Sequence, residues 1–144
     1  MELTGLTVIR PVQENEERLE RILDGVLGGD CGGIMVDRVV RSAGELDALL
    51  EKNRLRETRI LFALTTGSCG VNAGCMEMVR SIRKHGQCLE GSVAGMIVDG
   101  QEEWYTKSLA REVIFSANMS GCAFPGRPLA EGTEIGRASC RERV

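Results

Sequence analysis

The residues best equipped for chemistry lie in the run Thr65-Thr66-Gly67-Ser68-Cys69-Gly70, where three hydroxyls, a thiol and two glycines follow an apolar stretch and precede a helix-forming one. Flexible backbone N–H groups at a helix N-terminus make a cradle for an anion or for the polar edge of a ligand. A strand-to-helix turn favours the same residues for turn geometry and capping alone, so both readings stand. Cys69 is the thiol placed to react, because a position just ahead of a helix favours the thiolate; an inert buried cysteine is the competing reading. A second candidate follows at Asp99-Gly100 and Trp104-Tyr105, the latter pair being the chain's only tryptophan and tyrosine. An aromatic face there suits a flat heterocycle, while Trp104 packed beneath its loop as a core anchor is the structural alternative.

Other reactive types point to plainer roles. His85, the single histidine, stands beside Gly86 where a helix is expected to end, and reads as a capping residue rather than a base. Cys69 and Cys75 are not a Cys-x-x-Cys pair, and Cys31, Cys88 and Cys122 complete no metal-ligand spacing. Glu102 and Glu103 read as helix N-terminal acids. Lys107 and Arg127 can hold an anionic substrate, although solvated charge is the commoner fate of such residues. The first strand is followed by Arg10-Pro11-Val12-Gln13-Glu14, not by the Gly-x-Gly-x-x-Gly of a dinucleotide site, and no Walker-type loop occurs.

The elements that must position these groups follow from apolar spacing. Leu6-Thr7-Val8-Ile9 reads as a strand stopped by Arg10-Pro11. Acidic Glu14 to Glu17 then open a helix whose Leu19, Ile22, Leu23, Val26 and Leu27 share one face, with Gly28-Gly29 at its end. Gly33 to Val36 is a second apolar run, and Ser42 and Glu45 stand in capping-box spacing ahead of Leu46, Leu49 and Leu50. Arg59 to Leu64 is the strongest strand, apolar on both faces. Its helix is expected to begin near Asn72, to bury Cys75, Val79 and Ile82, and to close at Arg83-Lys84-His85-Gly86. Val93 to Val98 gives a fourth strand, followed by a helix reaching about Ser120 with Leu109, Val113 and Ala117 on one side and Gly121 behind it. Ala123-Phe124 begins a fifth strand that the prolines at 125 and 128 break. Alternation of this kind predicts a three-layer α/β domain with a doubly wound parallel sheet, in which ligands bind outside the carboxyl ends of the strands.

With 144 residues, 42% of them hydrophobic and 27% charged, the chain has the balance of one globular domain. The net charge of −3, with acids and bases intermixed, argues against nucleic acid as a partner. No long apolar run or leader-like N-terminus stands out, and the cysteines form no compact framework. A cytoplasmic protein with reduced thiols and no membrane association is expected. Residues 134–144, Glu-Ile-Gly-Arg-Ala-Ser-Cys-Arg-Glu-Arg-Val, resemble the translation of a common sequencing adapter. We therefore read 1–133 as the domain, its natural C-terminus cut short, and 134–144 as a non-biological tail.

The stretch from Leu89 to Glu131 is similar to the final β-α-β portion of flavodoxin-like NAD(P)H-dependent FMN reductases. It carries Gly91-Ser92-Val93-Ala94-Gly95-Met96-Ile97-Val98-Asp99-Gly100 and Gly121-Cys122-Ala123-Phe124-Pro125-Gly126. The resemblance implies a flavodoxin-like fold over 1–133 and FMN as cofactor. It places the flavin ring between the loops after the third and fourth strands, here Thr65 to Gly70 and Asp99 to Tyr105. The family's Ser/Thr/Gly-rich phosphate loop after the first strand is replaced by Arg10-Pro11-Val12-Gln13-Glu14-Asn15. Three functions are open on the sequence: an FMN-dependent NAD(P)H oxidoreductase, a non-catalytic flavodoxin-like binding or interaction module without flavin, and thiol chemistry at Cys69. The expected partner is a small-molecule cofactor or substrate, with a homodimer as one open assembly.

Overall fold

Alternation of short β-branched runs with amphipathic segments gives a single parallel sheet flanked by helices. The computed structural model describes residues 5–28, 35–66, 72–100, 103–126 and 129–133. Among these, the elements in chain order are β1 (Leu6–Ile9), α1 (Glu17–Gly28), β2 (Val36–Val40), α2 (Ala43–Glu51), β3 (Arg59–Thr65), α3 (Ala73–Lys84), β4 (Val93–Gly100), α4 (Glu103–Met119) and β5 (Leu129–Thr133). The strands lie in the order β2-β1-β3-β4-β5, each parallel to its neighbour. The chain moves outward from β1 to β2 and then returns to the other side of β1, so the order switches between β1 and β3. Loops diverge at such a point and leave a crevice at the carboxyl edge.

Strand alternation sorts the core into two layers. Ile60, Phe62 and Leu64 of β3 and Ala94, Met96 and Val98 of β4 join Leu46 and Leu50 of α2, Met78 and Ile82 of α3, and Val113 and Ala117 of α4. On the opposite face, Val8, Ala63 and Ile97 meet Leu19 and Leu23 of α1. Among the described residues α1 alone covers that second face. Removing one of these enclosed leucines costs about 2–5 kcal/mol, through lost transfer energy and the cavity left behind.

Local signals mark most helix ends. Ser42 Oγ accepts the Glu45 N–H at 3.2 Å, and the Glu45 carboxylate reaches back to the Arg41 N–H at 3.0 Å, one residue earlier than a standard capping box. Asn72 caps α3 and His85 is its C-cap, followed by Gly86 at φ +66°. The His85 ring also bonds Asp47 on α2 at 3.0 Å. That bond is the largest cause holding the Asp47 carboxyl below its ordinary range. Gly121 adopts φ +98°, and a side chain there would run into the Glu90 backbone.

Two strands depart from the sequence expectation. β2 runs over Val36–Val40 and not the earlier apolar stretch, of which Gly33 and Ile34 lie outside the described residues. As an edge strand with only β1 beside it, β2 tolerates an exposed Asp37 and a half-buried Arg38 within its run, which disguises it. Asp37 to Val40, which follow the apolar run in sequence, are consequently strand. The fifth strand is Leu129–Thr133, whereas Ala123 makes only one bridge, to Val93. Pro125 has no N–H to continue that ladder, so pairing resumes further on, with Leu129 opposite Met96. Val26, expected on the apolar face of α1, is 43% exposed.

Burial pushes the thiols of Cys75 and Cys122 up to about 12 and raises that of Cys88. Iodoacetamide applied to the folded protein should leave these three cysteines unmodified, and should label them only after denaturation, as read by peptide mass mapping. Fast labelling of any one in the native protein would show that its helix does not pack as described.

Candidate functional site

The carboxyl edge of the sheet is organised by the loop between β1 and α1. Asn15 takes the left-handed conformation at φ 55°, one that asparagine tolerates, and the chain turns back over the ends of β1 and β3. Gln13 then does the joining. Its Nε2 donates to the Ala63 carbonyl at 3.2 Å, while its Oε1 accepts from the Thr65 N–H at 2.9 Å and from Asn72 Nδ2 at 2.6 Å. Thr65 Oγ1 donates to the Glu14 carbonyl at 2.8 Å, and Asn72 Nδ2 also reaches the Thr65 carbonyl at 2.6 Å. Asn72 Oδ1 meanwhile accepts the Cys75 N–H at 2.9 Å as the α3 cap. The loop is pressed so close to α3 that a side chain at Gly74 would meet Pro11 Cβ at 3.0 Å and the Val12 carbonyl at 3.1 Å.

Two ion-pair groups flank the head of α1. Glu16, the residue before the helix, places Oε1 2.6 Å from Arg10 Nη2 and Oε2 2.6 Å from Arg41 Nη2, and Oε2 also accepts the Gln13 N–H at 3.4 Å. Burial raises the Glu16 pKa, but the Arg10 hydrogen bond, the Gln13 N–H and the charges of Arg41 and Arg10 together bring it below the ordinary value. On the other side, Arg18 Nε meets Asp99 Oδ1 at 2.8 Å and its Nη2 reaches the Gly100 carbonyl at 3.3 Å, tying α1 to the end of β4. Asp99 is only 3% exposed.

Between β3 and β4 the Thr66 N–H donates to the Asp99 carbonyl at 2.9 Å, one residue beyond the end of β3. Thr66 is buried, and its Oγ1 has no hydrogen-bond partner among the described residues. That hydroxyl lies where a side chain on Gly100 would stand, with the Thr106 methyl also close by. A glycine is therefore required at 100, and an unpaired hydroxyl sits in the hollow it leaves.

Of the residues singled out from sequence, Thr65, Thr66, Asp99 and Gly100 come together at this edge, and Tyr105 is half-buried in the first turn of α4. The Thr65 hydroxyl is engaged by the β1 loop and Asp99 by Arg18. Gly67, Ser68, Cys69 and Gly70 lie outside the described residues, as do the Trp104 side chain and Arg127. The side-chain roles of Gln13, Glu16, Arg18 and Arg41 escaped sequence reasoning, because Glu14 to Glu17 also read as ordinary helix-start acids. Among the described residues no three His, Cys, Asp or Glu side chains gather as metal ligands, and no helix is long and apolar enough to cross a membrane.

No family model matches the sequence, and no curated protein does either. Among solved structures the fold is similar to a short-chain flavodoxin associated with a non-canonical PDU bacterial microcompartment. The TM-score is 0.63 at 13% sequence identity, over 94% of this chain and 88% of the flavodoxin. The fold is accordingly flavodoxin-like.

Replacing Asn72 with alanine removes a helix cap and a buried bridge at once, and should cost about 2–4 kcal/mol in urea unfolding. Ser42→Ala, an exposed cap, should cost about 1 kcal/mol; equal losses would refute the bridging role. Glu16 and Asp47 both have depressed folded pKa values. Their contribution is therefore full above the unfolded carboxyl values of about 4 and is lost as pH falls through the folded ones. Acid unfolding of Glu16→Gln should show a shallower fall of stability with pH than the parent, and identical curves would contradict this.

Proposed function

We propose that the chain is a flavin-binding domain of flavodoxin-like fold, serving oxidation and reduction with a nicotinamide nucleotide as the electron source. The observation that carries the reading is the buried, unpaired Thr66 hydroxyl beside Gly100, at the carboxyl ends of β3 and β4. A buried hydroxyl without a partner costs roughly 1–3 kcal/mol, which a ligand's polar edge would recover. Thr66 would meet the ring edge, with Asp99 and Gly100 forming the floor. Tyr105, and Trp104 next to it in sequence, would cover one side. A bound flavin supplies hydride and single-electron transfer. The chain's own part is to exclude water, to orient the ring, and to hold the Asp99 side chain in place through Arg18.

The fit differs at the two ends of FMN. The unpaired Thr66 hydroxyl beside Gly100 would answer the polar edge of the ring, whereas the loop after β1 offers a phosphate neither a glycine cradle nor free cations, because Gln13 and Glu16 already occupy its polar groups. That occupancy also favours a second reading, a binding or interaction module that keeps the fold without flavin.

Titration with riboflavin and with FMN, followed by flavin fluorescence and by emission of Trp104, separates the two. Saturable binding is expected. Thr66→Val should weaken it roughly 5- to 30-fold, the size of one hydrogen bond of about 1–2 kcal/mol. The same variant should leave the free protein as stable as the parent or more so, since the hydroxyl it deletes is unpaired. Absence of binding to either flavin would leave the non-catalytic reading in place.

A further inference from the structure

Arg10 and Arg41 leave the carboxyl ends of adjacent strands, held level by the Arg10 N–H to Val40 carbonyl bond at 2.9 Å and the Val12 N–H to Arg41 carbonyl bond at 3.2 Å. Both guanidinium groups converge on the head of α1, where the helix dipole already favours negative charge. Two guanidiniums and a backbone N–H around one point make a receptor for a tetrahedral oxyanion. In this protein the point is filled by Glu16, whose side chain is 18% exposed, against 11% for Arg10 and 36% for Arg41.

The filling is incomplete. One carboxylate takes a single Nη2 from each arginine, and Arg10 Nε and Arg41 Nε stay buried without a hydrogen-bond partner among the described residues. A carboxylate has two oxygens where a phosphate has four, so the donors outnumber the acceptors supplied. The remaining acids nearby do not repair this. Glu20 Oε1 stands 3.7 Å from Arg10 Nη2 and is mostly exposed, and Glu45 faces the Arg41 N–H rather than its guanidinium.

We propose that Glu16 is a built-in anion occupying a two-arginine phosphate receptor, so that the protein selects a ligand without a phosphate over its phosphomonoester. The receptor half stands on the ion-pair geometry alone, while the selectivity half rests on the flavin reading given above. Arg10 and Arg41 hold Glu16 in place of an external phosphate, and a phosphomonoester arriving at this edge meets a carboxylate of the same sign. An uncharged flavin meets no such obstacle at the ring end, near Thr66 and Gly100.

Inorganic phosphate is the first probe, with chloride at matched ionic strength as control, read by calorimetry and by the shift in melting temperature. The parent should show no saturable binding. Glu16→Ala should bind phosphate and gain thermal stability from it, and Glu16→Gln, which keeps the shape but not the charge, should bind more weakly than Glu16→Ala. Adding Arg41→Ala to Glu16→Ala should abolish the binding. Should Glu16→Ala be poorly folded alone, recovery of its melting transition by phosphate but not by chloride carries the same meaning. Parent and variants binding phosphate alike, or folded Glu16→Ala and Glu16→Gln both ignoring it, would overturn the proposal. The second probe is the pair riboflavin and FMN. The parent should prefer riboflavin by about tenfold or more, the worth of one charged contact, and Glu16→Ala should reverse the order. An unchanged ratio overturns the selectivity, whereas failure of both flavins to bind rejects the flavin reading and leaves the phosphate result to decide the role of Glu16.

Discussion

A parallel sheet sends every connection over its ends, and the backbone groups at the carboxyl edge lose their ladder partners just where the strands stop. The carboxamide of Gln13 resolves that constraint here. It both donates and accepts, so a single side chain satisfies the Ala63 carbonyl and the Thr65 N–H while taking a third bond from Asn72. Asn72 in turn starts α3. The end of β3, the start of α3 and the loop after β1 are thereby one hydrogen-bonded unit, and the conformation of that loop follows from it.

With the loop held down, the residues after it have little freedom. Glu16 is delivered between Arg10 and Arg41, and Arg18, two residues on, is turned toward β4. These are partly buried, hydrogen-bonded pairs, in which removal of one member leaves a charge stranded, unlike the exposed Arg83–Glu112 pair between α3 and α4. The loop after β1 and the first turn of α1 are consequently anchored at the ends of four strands, β1 and β2 by the Glu16 pairs, β3 by Gln13, and β4 by Arg18.

The two halves of this edge are chemically unlike. Around β1 and β2 the charges of Arg10, Glu16 and Arg41 answer one another inside the protein, although Arg10 Nε and Arg41 Nε are left over among the described residues. Around β3 and β4 a buried hydroxyl stays unanswered among the described residues, beside a glycine that cannot be enlarged. A ligand gains most where the protein has left a polar atom without a partner, because the desolvation of that atom has already occurred on folding. On the flavin reading proposed above, the second half is where the ring of a flat, hydrogen-bonding ligand would sit.

Much of the architecture is written locally. The alternation of Ile60, Phe62 and Leu64 with Leu61 and Ala63, the cap at Asn72 and the glycine at 121 act within a few residues, so α/β class, helix ends and the two-faced central strands are legible from the chain. That Thr65, Thr66, Asp99 and Gly100 gather at the carboxyl edge is legible too, since the class alone puts the ends of β3 and β4 side by side. Edge strands were not legible: β2 pairs on one side and carries Asp37 and Arg38, and β5 begins only after Pro125 has stopped a premature ladder. Nor could spacing show that Gln13 bonds residues some fifty and sixty positions away, or that Glu16 belongs to Arg41 and Arg18 to Asp99. Such pairings depend on which strands become neighbours, and a side chain's partner is decided by proximity in the folded sheet rather than by its own type.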